Sequence, residues 1–326
     1  MWDFDLARTL AAMLRTAPFI VFRMAVYFGI ALGYVIATGV GGAIGYGVTS
    51  FSEEGDGAGA FYGAMFGFAG ASGVLYLARE FILYHVKVAH IAVLVPIHDG
   101  RPTPQGKEQI GFAADVVRER FAQSSVLFAI DQLIKGVLRI LAGVLGTVSL
   151  LVPIPGLQGL MRMVNAVVRM SLTYVDEVIV AHIIRTARDN PWQTGREGLV
   201  LYAQNYRTMI RNAAWLSLFV WLATILIFFV MLGPVLALLA LFPGDFGVWA
   251  FATAVVFAWA FKAALVEPLA IFALMQVYFR TIEGQSPDAE WDRRLASASA
   301  KFRALAERAG AAMGGGRRPA EGGSPR

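Results

Sequence analysis

The chain alternates long apolar runs with long polar ones. Residues Ala213 to Gly244 carry no charged side chain, and Leu, Phe, Val, Ile and Trp dominate them. Such a run would measure about 48 Å as a helix, whereas about 20 apolar residues cross a hydrocarbon layer of roughly 30 Å. It predicts one long or tilted span, from about Ala213 to about Leu241, with its turn beyond and a kink at Gly233-Pro234. Three further runs predict spans over about Met24–Val48, about Gly57–Ala78 and about Phe246–Val266. In the last, apolar character continues past Pro268 to Phe279. The turns are short and acidic: Ser50-Phe51-Ser52-Glu53-Glu54-Gly55-Asp56 and Pro243-Gly244-Asp245 hold no Lys or Arg.

The polar stretches carry the positive charge. Arg101, Lys107, Arg118 and Arg120 lie in one, Arg185 to Arg211 in the next, and Arg280 to Arg308 in the C-terminal part. The positive-inside rule places all three, with both termini, on the cytoplasmic side of a cell (inner) membrane. The expected fold is an all-α polytopic helical bundle made of two hairpins that share one orientation. The first lies in residues 1–98, the second in 213–282, and 99–212 is expected to be cytoplasmic or interfacial.

The middle region is ambiguous. Val126 to Val152 is apolar, yet Asp131, Lys135 and Arg139 recur every four residues. At about 2.5–3.5 kcal/mol each at the bilayer centre, three charges cost about 8–10 kcal/mol against about 5 from the apolar residues. Pro153-Ile154-Pro155-Gly156 sits in a charge-free run. The pattern reads as a re-entrant or interfacial hairpin over 140–161, tolerated where protein covers the broken backbone. Two full crossings here would give six spans instead of four.

Amphipathic patterns fill the rest. Trp2 to Thr16, with Phe4, Leu6, Leu10 and Met13 on one side, reads as a membrane-surface helix. Leu157 to Arg185 reads as another amphipathic helix. Asp189-Asn190-Pro191-Trp192 should break it. Thr194 and Glu197 have the spacing of a capping box, from which a helix would run into the third span. Ser286-Pro287-Asp288 predicts a helix start, with Ser286 as the cap and Pro287 in the first turn. Trp291, Leu295, Ala298, Phe302 and Leu305 then form a short seam within 286–308, to dock on the membrane domain or on a partner helix. From Ala309 to residue 326 the Gly/Ala/Arg/Pro composition reads as a disordered tail.

Composition narrows the chemistry. Hydrophobic residues make up 57% of the 326 and charged ones only 16%, which fits a chain spread through lipid. There is no cysteine, so thiolate metal sites and disulfides are excluded. The net charge of +5 is spread over separate stretches, not gathered into a nucleic-acid patch. His85 and His90 are five apart, about 140° around a helix, and converge poorly on one metal. No Walker loop, dinucleotide fingerprint, G-x-S-x-G or H-E-x-x-H occurs. No cofactor, metal or catalytic residue is therefore expected.

Two sets of residues stand out. Gly29, Gly33, Ala37, Gly41 and Gly45 step by four, and Gly55, Gly59, Gly63, Gly67 and Ala71 repeat the pattern. Such ladders let two helices meet backbone to backbone, either within the first hairpin or across a homo-oligomer face. Charges inside apolar surroundings form the second set. Asp176 and Glu177 are adjacent, and the plain expectation pairs them with Arg169, Arg185 or the arginines of 196–211. Lys262 and Glu267 interrupt the fourth span and should anchor within a turn of its cytoplasmic end, or pair with the 126–185 region. With Asp131 and Lys135 they are the candidate polar cluster of a transport or permeation protein for a small solute. The alternative is a non-transporting scaffold acting through the glycine ladder and the 291–305 seam.

Residues Val126-Leu127-Phe128-Ala129-Ile130-Asp131-Gln132-Leu133-Ile134-Lys135, Tyr202-Ala203-Gln204-Asn205, Arg211-Asn212-Ala213-Ala214 and Leu269 to Glu283 make the stretch from about 125 to about 290 resemble the choline-transporter-like family. That resemblance implies a polytopic transport protein. Members of the family have many more spans and a large external loop near the N-terminus.

Overall fold

In a computed structural model, residues 2–50, 56–120, 128–138, 172–240 and 247–314 are described. They form helices and connecting turns without a strand. The elements are α1 (Leu6–Arg15), α2 (Ala17–Thr49), α3 (Asp56–His98), α4 (Glu108–Arg120), helical residues 128–138, α5 (Val175–Thr186), α6 (Pro191–Gln204), α7 (Tyr206–Leu239) and α8 (Gly247–Phe261). A π-helical turn (Lys262–Val266) follows, then α9 (Glu267–Thr281), α10 (Ala289–Ala298) and α11 (Ala300–Gly314). Four stretches are long and apolar enough to cross a membrane: Ala17–Thr49, Glu80–His98, Tyr206–Ala237 and Phe251–Thr281.

The molecule divides along the helix axes. At one end α2 pairs with α3 and α7 with α8, and their outer faces are apolar and bare. Leu32, Ile36, Val40 and Ile44 are all at least half exposed on α2, as are Phe61, Met65 and Phe66 on α3 and Leu226 and Phe229 on α7. A bare apolar belt of this extent is what lipid covers. At the other end the chain is a close-packed body. The second half of α3, all of α5, the middle of α6, the first turns of α7 and the length of α9 share one core, including Ile91, Leu94, Ile179, Phe272 and Tyr278.

Within the first hairpin the backbones nearly touch. A Cβ at Gly41 would overlap the Gly63 carbonyl oxygen, one at Gly45 that of Gly59, and one at Gly67 that of Ala37. Gly29 and Gly33, expected in the same ladder, have nothing within 4 Å of where their Cβ would sit. The approach is close only toward the turn, while lower down α2 meets the bulkier α8 and π turn.

Several element boundaries differ from the sequence expectations. The second span was expected to end near Ala78, but α3 continues to His98, because nothing before Pro96 interrupts it. It stops in a Schellman turn: Gly100, at φ 70°, donates to the Ile97 carbonyl, and Arg101 N–H reaches that of Pro96 at 2.8 Å. The stretch after it holds α4, whose signal was Ile110, Ala113 and Val117 at helical spacing; Ala113 is fully buried. Helix α6 begins at Pro191, not Thr194, since the Asn190 carboxamide caps it by accepting from Gln193 N–H at 3.2 Å. Thr194 lies inside and returns its hydroxyl to the Asn190 carbonyl. The expected break before Pro191 is present, but α6 does not run on into the third span: a second break falls at Asn205, and α7 starts at Tyr206. Asp288 caps α10, accepting from the N–H groups of Glu290 and Trp291, so Ser286 is not the cap. The seam is used within this chain: Leu295, Phe302 and Leu305 are buried, and α10 and α11 pack on α6. Helix α11 runs through Gly314, past the expected start of the disordered tail. The expected hairpin over 140–161, Arg139, Arg169 and the question of six spans lie outside the described residues.

Helix α1 lies across the packed end. The Asp5 carboxylate caps it, accepting from Arg8 N–H at 3.0 Å. Thr9, Ala12 and Met13 are buried, and the Gln276 carboxamide of α9 donates to the Thr9 hydroxyl at 2.7 Å. Leu6, Leu10 and Leu14 are exposed at a spacing of four. The expected apolar side is thus split: Phe4 and Met13 pack inward, Leu6 and Leu10 outward.

Candidate functional site

Where the bare belt meets the packed body, five pieces of chain bring ionisable groups together. Arg23 comes from α2, Glu80 and Lys87 from α3, Asp131 and Lys135 from residues 128–138, Asp176 and Glu177 from α5, and Lys262 and Glu267 from the turn into α9. They surround a cavity of about 140 Å³, whose wall also includes Tyr27, Leu83, Tyr84, Val180 and Trp259. Arg23 and Lys262 stand behind Glu267, and the other charged groups line the space itself.

The ion pairs run as a chain. Lys135 Nζ lies 2.7 Å from Asp131 and 3.6 Å from Asp176. Lys87 Nζ lies 2.9 Å from Glu177 Oε1 and 3.5 Å from Glu267 Oε2, tying α3 to both α5 and α9. Glu267 is also 3.0 Å from Lys262 Nζ and 3.8 Å from Arg23. Asp131, Asp176, Glu177 and Glu267 are buried, and Arg23 is wholly so. Burying a charge is costly unless it is paired, so this density of pairing is what permits the cluster.

The turn that carries Lys262 and Glu267 follows from one residue. Pro268 has no N–H to donate to an upstream carbonyl. Glu267 N–H bonds five residues back, to the Lys262 carbonyl, which makes the turn π-helical. In an α-helix that N–H would serve Ala263. The Ala263 carbonyl is left without a helical donor, and Arg23 Nη2 supplies one from α2 at 2.7 Å. Single π turns of this kind are common at functional sites. The helix therefore continues to Thr281, and Lys262 and Glu267 sit at mid-length, not near the cytoplasmic end as expected.

The two carboxylates of α5 differ in charge state. Burial, then the neighbouring Glu177, pushes Asp176 well above the ordinary carboxylate range. Burial is also the largest single influence on Glu177, but the Lys87 ammonium, a hydrogen bond with Asp176 and the charge of Lys135 together outweigh it and hold Glu177 down to about 2. For Asp131 burial wins over the attraction of Lys135, and the group is pushed up to about 6. The adjacent pair thus holds one carboxyl that keeps a proton readily and one that does not.

Neither a family model, nor a curated protein, nor a solved structure matches the chain. The chemistry of the site has to be read from its own residues.

All six of Asp131, Lys135, Asp176, Glu177, Lys262 and Glu267 belong to this one cluster. Among the described residues Asp176 meets Lys135 and Glu177 meets Lys87, not the arginines of 196–211, and Arg185 pairs with Asp99 at 2.9 Å; Arg169, the other expected partner, lies outside the described residues. Sequence reasoning missed Arg23, Glu80 and Lys87. A signal existed, because each is a charge inside a helix otherwise apolar for several turns. The histidines are engaged separately: His85 Nδ1 meets the Phe81 carbonyl, His90 is buried and stacks on Phe19, and His98 meets Asp99.

Proposed function

We propose that the chain is a multi-pass membrane protein that moves a small solute, using the charge-lined cavity as its binding step. The observation that carries this reading is the convergence of the cluster on one cavity. Its charges line a cavity between the helix pairs; they do not fan outward as a headgroup-facing surface would. An ionisable group at membrane depth points to a substrate or ion path.

The depth of the cluster supports the reading. Helix α1, with its exposed leucines, suits the plane of the membrane surface. It contacts α9 at Gln276 and α3 at His98, where Arg8 bonds the His98 carbonyl. Glu267 is nine residues up α9 from that level and Lys87 eleven up α3, about 13–16 Å at helical rise. Transporters bind substrate at comparable depth, near the midplane of a hydrocarbon layer of about 30 Å. The packed end carries Arg8, Arg101, Arg185, Arg188 and Arg280, which supports placing it and both termini in the cytoplasm of a cell with the protein in its inner membrane. Resemblance to the choline-transporter-like family agrees with transport. The scaffold alternative loses ground, since the close-approach glycines and the 291–305 seam are engaged within the chain.

The test is reconstitution of the full chain in liposomes on a capacitive sensor, with small charged and neutral solutes applied in turn. A solute-dependent charge movement or flux that Glu177→Gln reduces at least tenfold supports the proposal. Folded, correctly inserted protein that moves none of the solutes sinks it.

A further inference from the structure

We infer that a second cavity, beside α1 at the packed end, binds a phosphate group, carried either by a lipid headgroup or by a soluble phosphate compound. The site goes beyond the transport reading and shares no lining residue with the charge-lined cavity.

The second cavity holds about 550 Å³, within the range of about 300–1,000 Å³ common for small-molecule sites. Three guanidinium groups line it from three different helices: Arg8 of α1, Arg185 of α5 and Arg280 of α9. Two of them are held in place. Arg185 Nε lies 2.9 Å from Asp99, and its guanidinium rests over the Phe279 ring at 4.4 Å. Arg8 donates through Nη2 to the His98 carbonyl. A guanidinium carries about five N–H donors, so most of those on Arg8 and Arg185 have no partner among the described residues. Arg280, exposed in the last turn of α9, makes no hydrogen bond or ion pair among the described residues.

Three carboxylates share the wall, and two are already engaged. Asp3 accepts from Arg211 and Asn212, and Asp5 caps α1. Glu283 stands exposed just beyond α9, where water and salt screen it. Convergent guanidinium forks with spare donors match the oxygens of a phosphate, which is why arginine is favoured where such groups are recognised.

The level of the cavity puts phosphate within reach. On α1 the exposed Leu6, Leu10 and Leu14 form one face. At about 100° per residue Arg8 lies about 160° round the helix from Leu10, on a face turned away from the apolar layer. Trp2, next to Asp3 in the chain, meets Trp215 at 6.0 Å, and both rings are 41% exposed. Tryptophans of this kind settle at headgroup level. Phosphates of the lipid surface and of the adjoining water both meet the protein there.

The experiment uses the purified full chain in dodecyl maltoside, with sodium chloride holding ionic strength. Titration calorimetry and thermal unfolding follow the addition of inorganic phosphate, glycerol phosphate or dihexanoyl phosphatidic acid, with dihexanoylglycerol as the lipid lacking phosphate. At least one phosphate probe should bind saturably and raise the unfolding temperature. Arg280→Gln and Arg8→Gln should each weaken that binding about fivefold or more. Arg118→Gln, which removes a like charge from the exposed side of α4, should leave it unchanged. Glu283→Gln should tighten binding several-fold, an outcome that a damaged fold does not imitate. Phosphatidic acid binding about tenfold tighter than glycerol phosphate assigns the site to a headgroup, and comparable affinities assign it to a soluble phosphate. The inference is overturned if no phosphate probe differs from chloride and dihexanoylglycerol, or if Arg280→Gln and Arg8→Gln bind as the parent does. Liposome flux is read separately, so the transport reading and the phosphate site can fail independently.

Discussion

Replacing Lys87 by methionine keeps the length of the side chain and removes the ammonium that links three helices. Removing one partner of a buried ion pair costs about 3–5 kcal/mol, because the other charge is left buried and alone. The structure places this variant at the lower end of that range. Glu267 keeps Lys262 at 3.0 Å and Arg23 at 3.8 Å. Glu177 has less reserve: among the described residues its ion-pair partner is Lys87, Lys135 acts on it from farther off, and its neighbour Asp176 is another acid. The Lys87 side chain is itself 26% exposed, which lets some water reach the vacancy. A loss of about 3 kcal/mol at neutral pH is expected, read as the shift in unfolding of the detergent-solubilised chain by tryptophan fluorescence.

The sign with pH is also fixed. In the parent protein Glu177 is held below its ordinary value of 4.5, so its pairing stabilises the fold above that pH and is lost as the pH falls toward about 2. In Lys87→Met the same carboxyl is buried without a cation, and its pKa rises instead. The variant should therefore look worst at neutral pH and approach the parent only as the pH falls toward about 2, where Glu177 is protonated in both. The double variant Lys87→Met with Glu177→Gln removes both charges and should recover most of the loss. A Lys87→Met variant within about 0.5 kcal/mol of the parent at pH 7, or a double variant no more stable than the single, would refute the argument that this pair is buried and coupled.

Other expectations follow from the same geometry. Gly63→Val places a Cβ against the backbone of α2 and should cost about 1–3 kcal/mol, while Gly33→Ala meets nothing and should be neutral or up to about 1 kcal/mol stabilising; parallel thermal unfolding compares them. Asp288→Ala removes a cap accepting from two N–H groups and should cost about 1 kcal/mol, visible as faster amide exchange in the first turn of α10. With no native cysteine, single cysteines at Thr147, Gly156 and Gln158 can be probed with an impermeant maleimide. Labelling from the side opposite the termini means six spans, and labelling from their side alone, or none, means four.

Much of the architecture is legible because lipid imposes a simple rule: long apolar runs become long helices. The places where reading the sequence goes astray share a cause. Helix α5 has an amphipathic pattern, and the ordinary inference sends its polar face to water or headgroups. Instead Val175 to Ile184 are buried on every side, because Asp176 and Glu177 find ammonium partners on other elements. Those partners are distant in sequence, and a periodicity count sees only one element at a time. The same limit hid Lys87, which looks like a stray charge until α5 and α9 are placed beside it. It also directed Asp176 and Glu177 toward abundant arginines, when geometry gives Lys87 and Lys135.

Pro268 shows how one local fact can organise a site. On sequence grounds a proline after an apolar run marks the end of a helix. At this position the Glu267 N–H bonds five residues back instead of four, which keeps the helix continuous and shifts the register of all that follows. The turn leaves the Ala263 carbonyl to a side chain, and the side chain that reaches it is the one wholly buried guanidinium on α2. Arg23 is thereby held within 3.8 Å of Glu267, and Lys262 is brought to 3.0 Å from the same carboxylate. A proline that would normally close a span thus recruits two cations around Glu267 at mid-helix. A carboxylate so well supplied can face a cavity inside an apolar span without being left there alone.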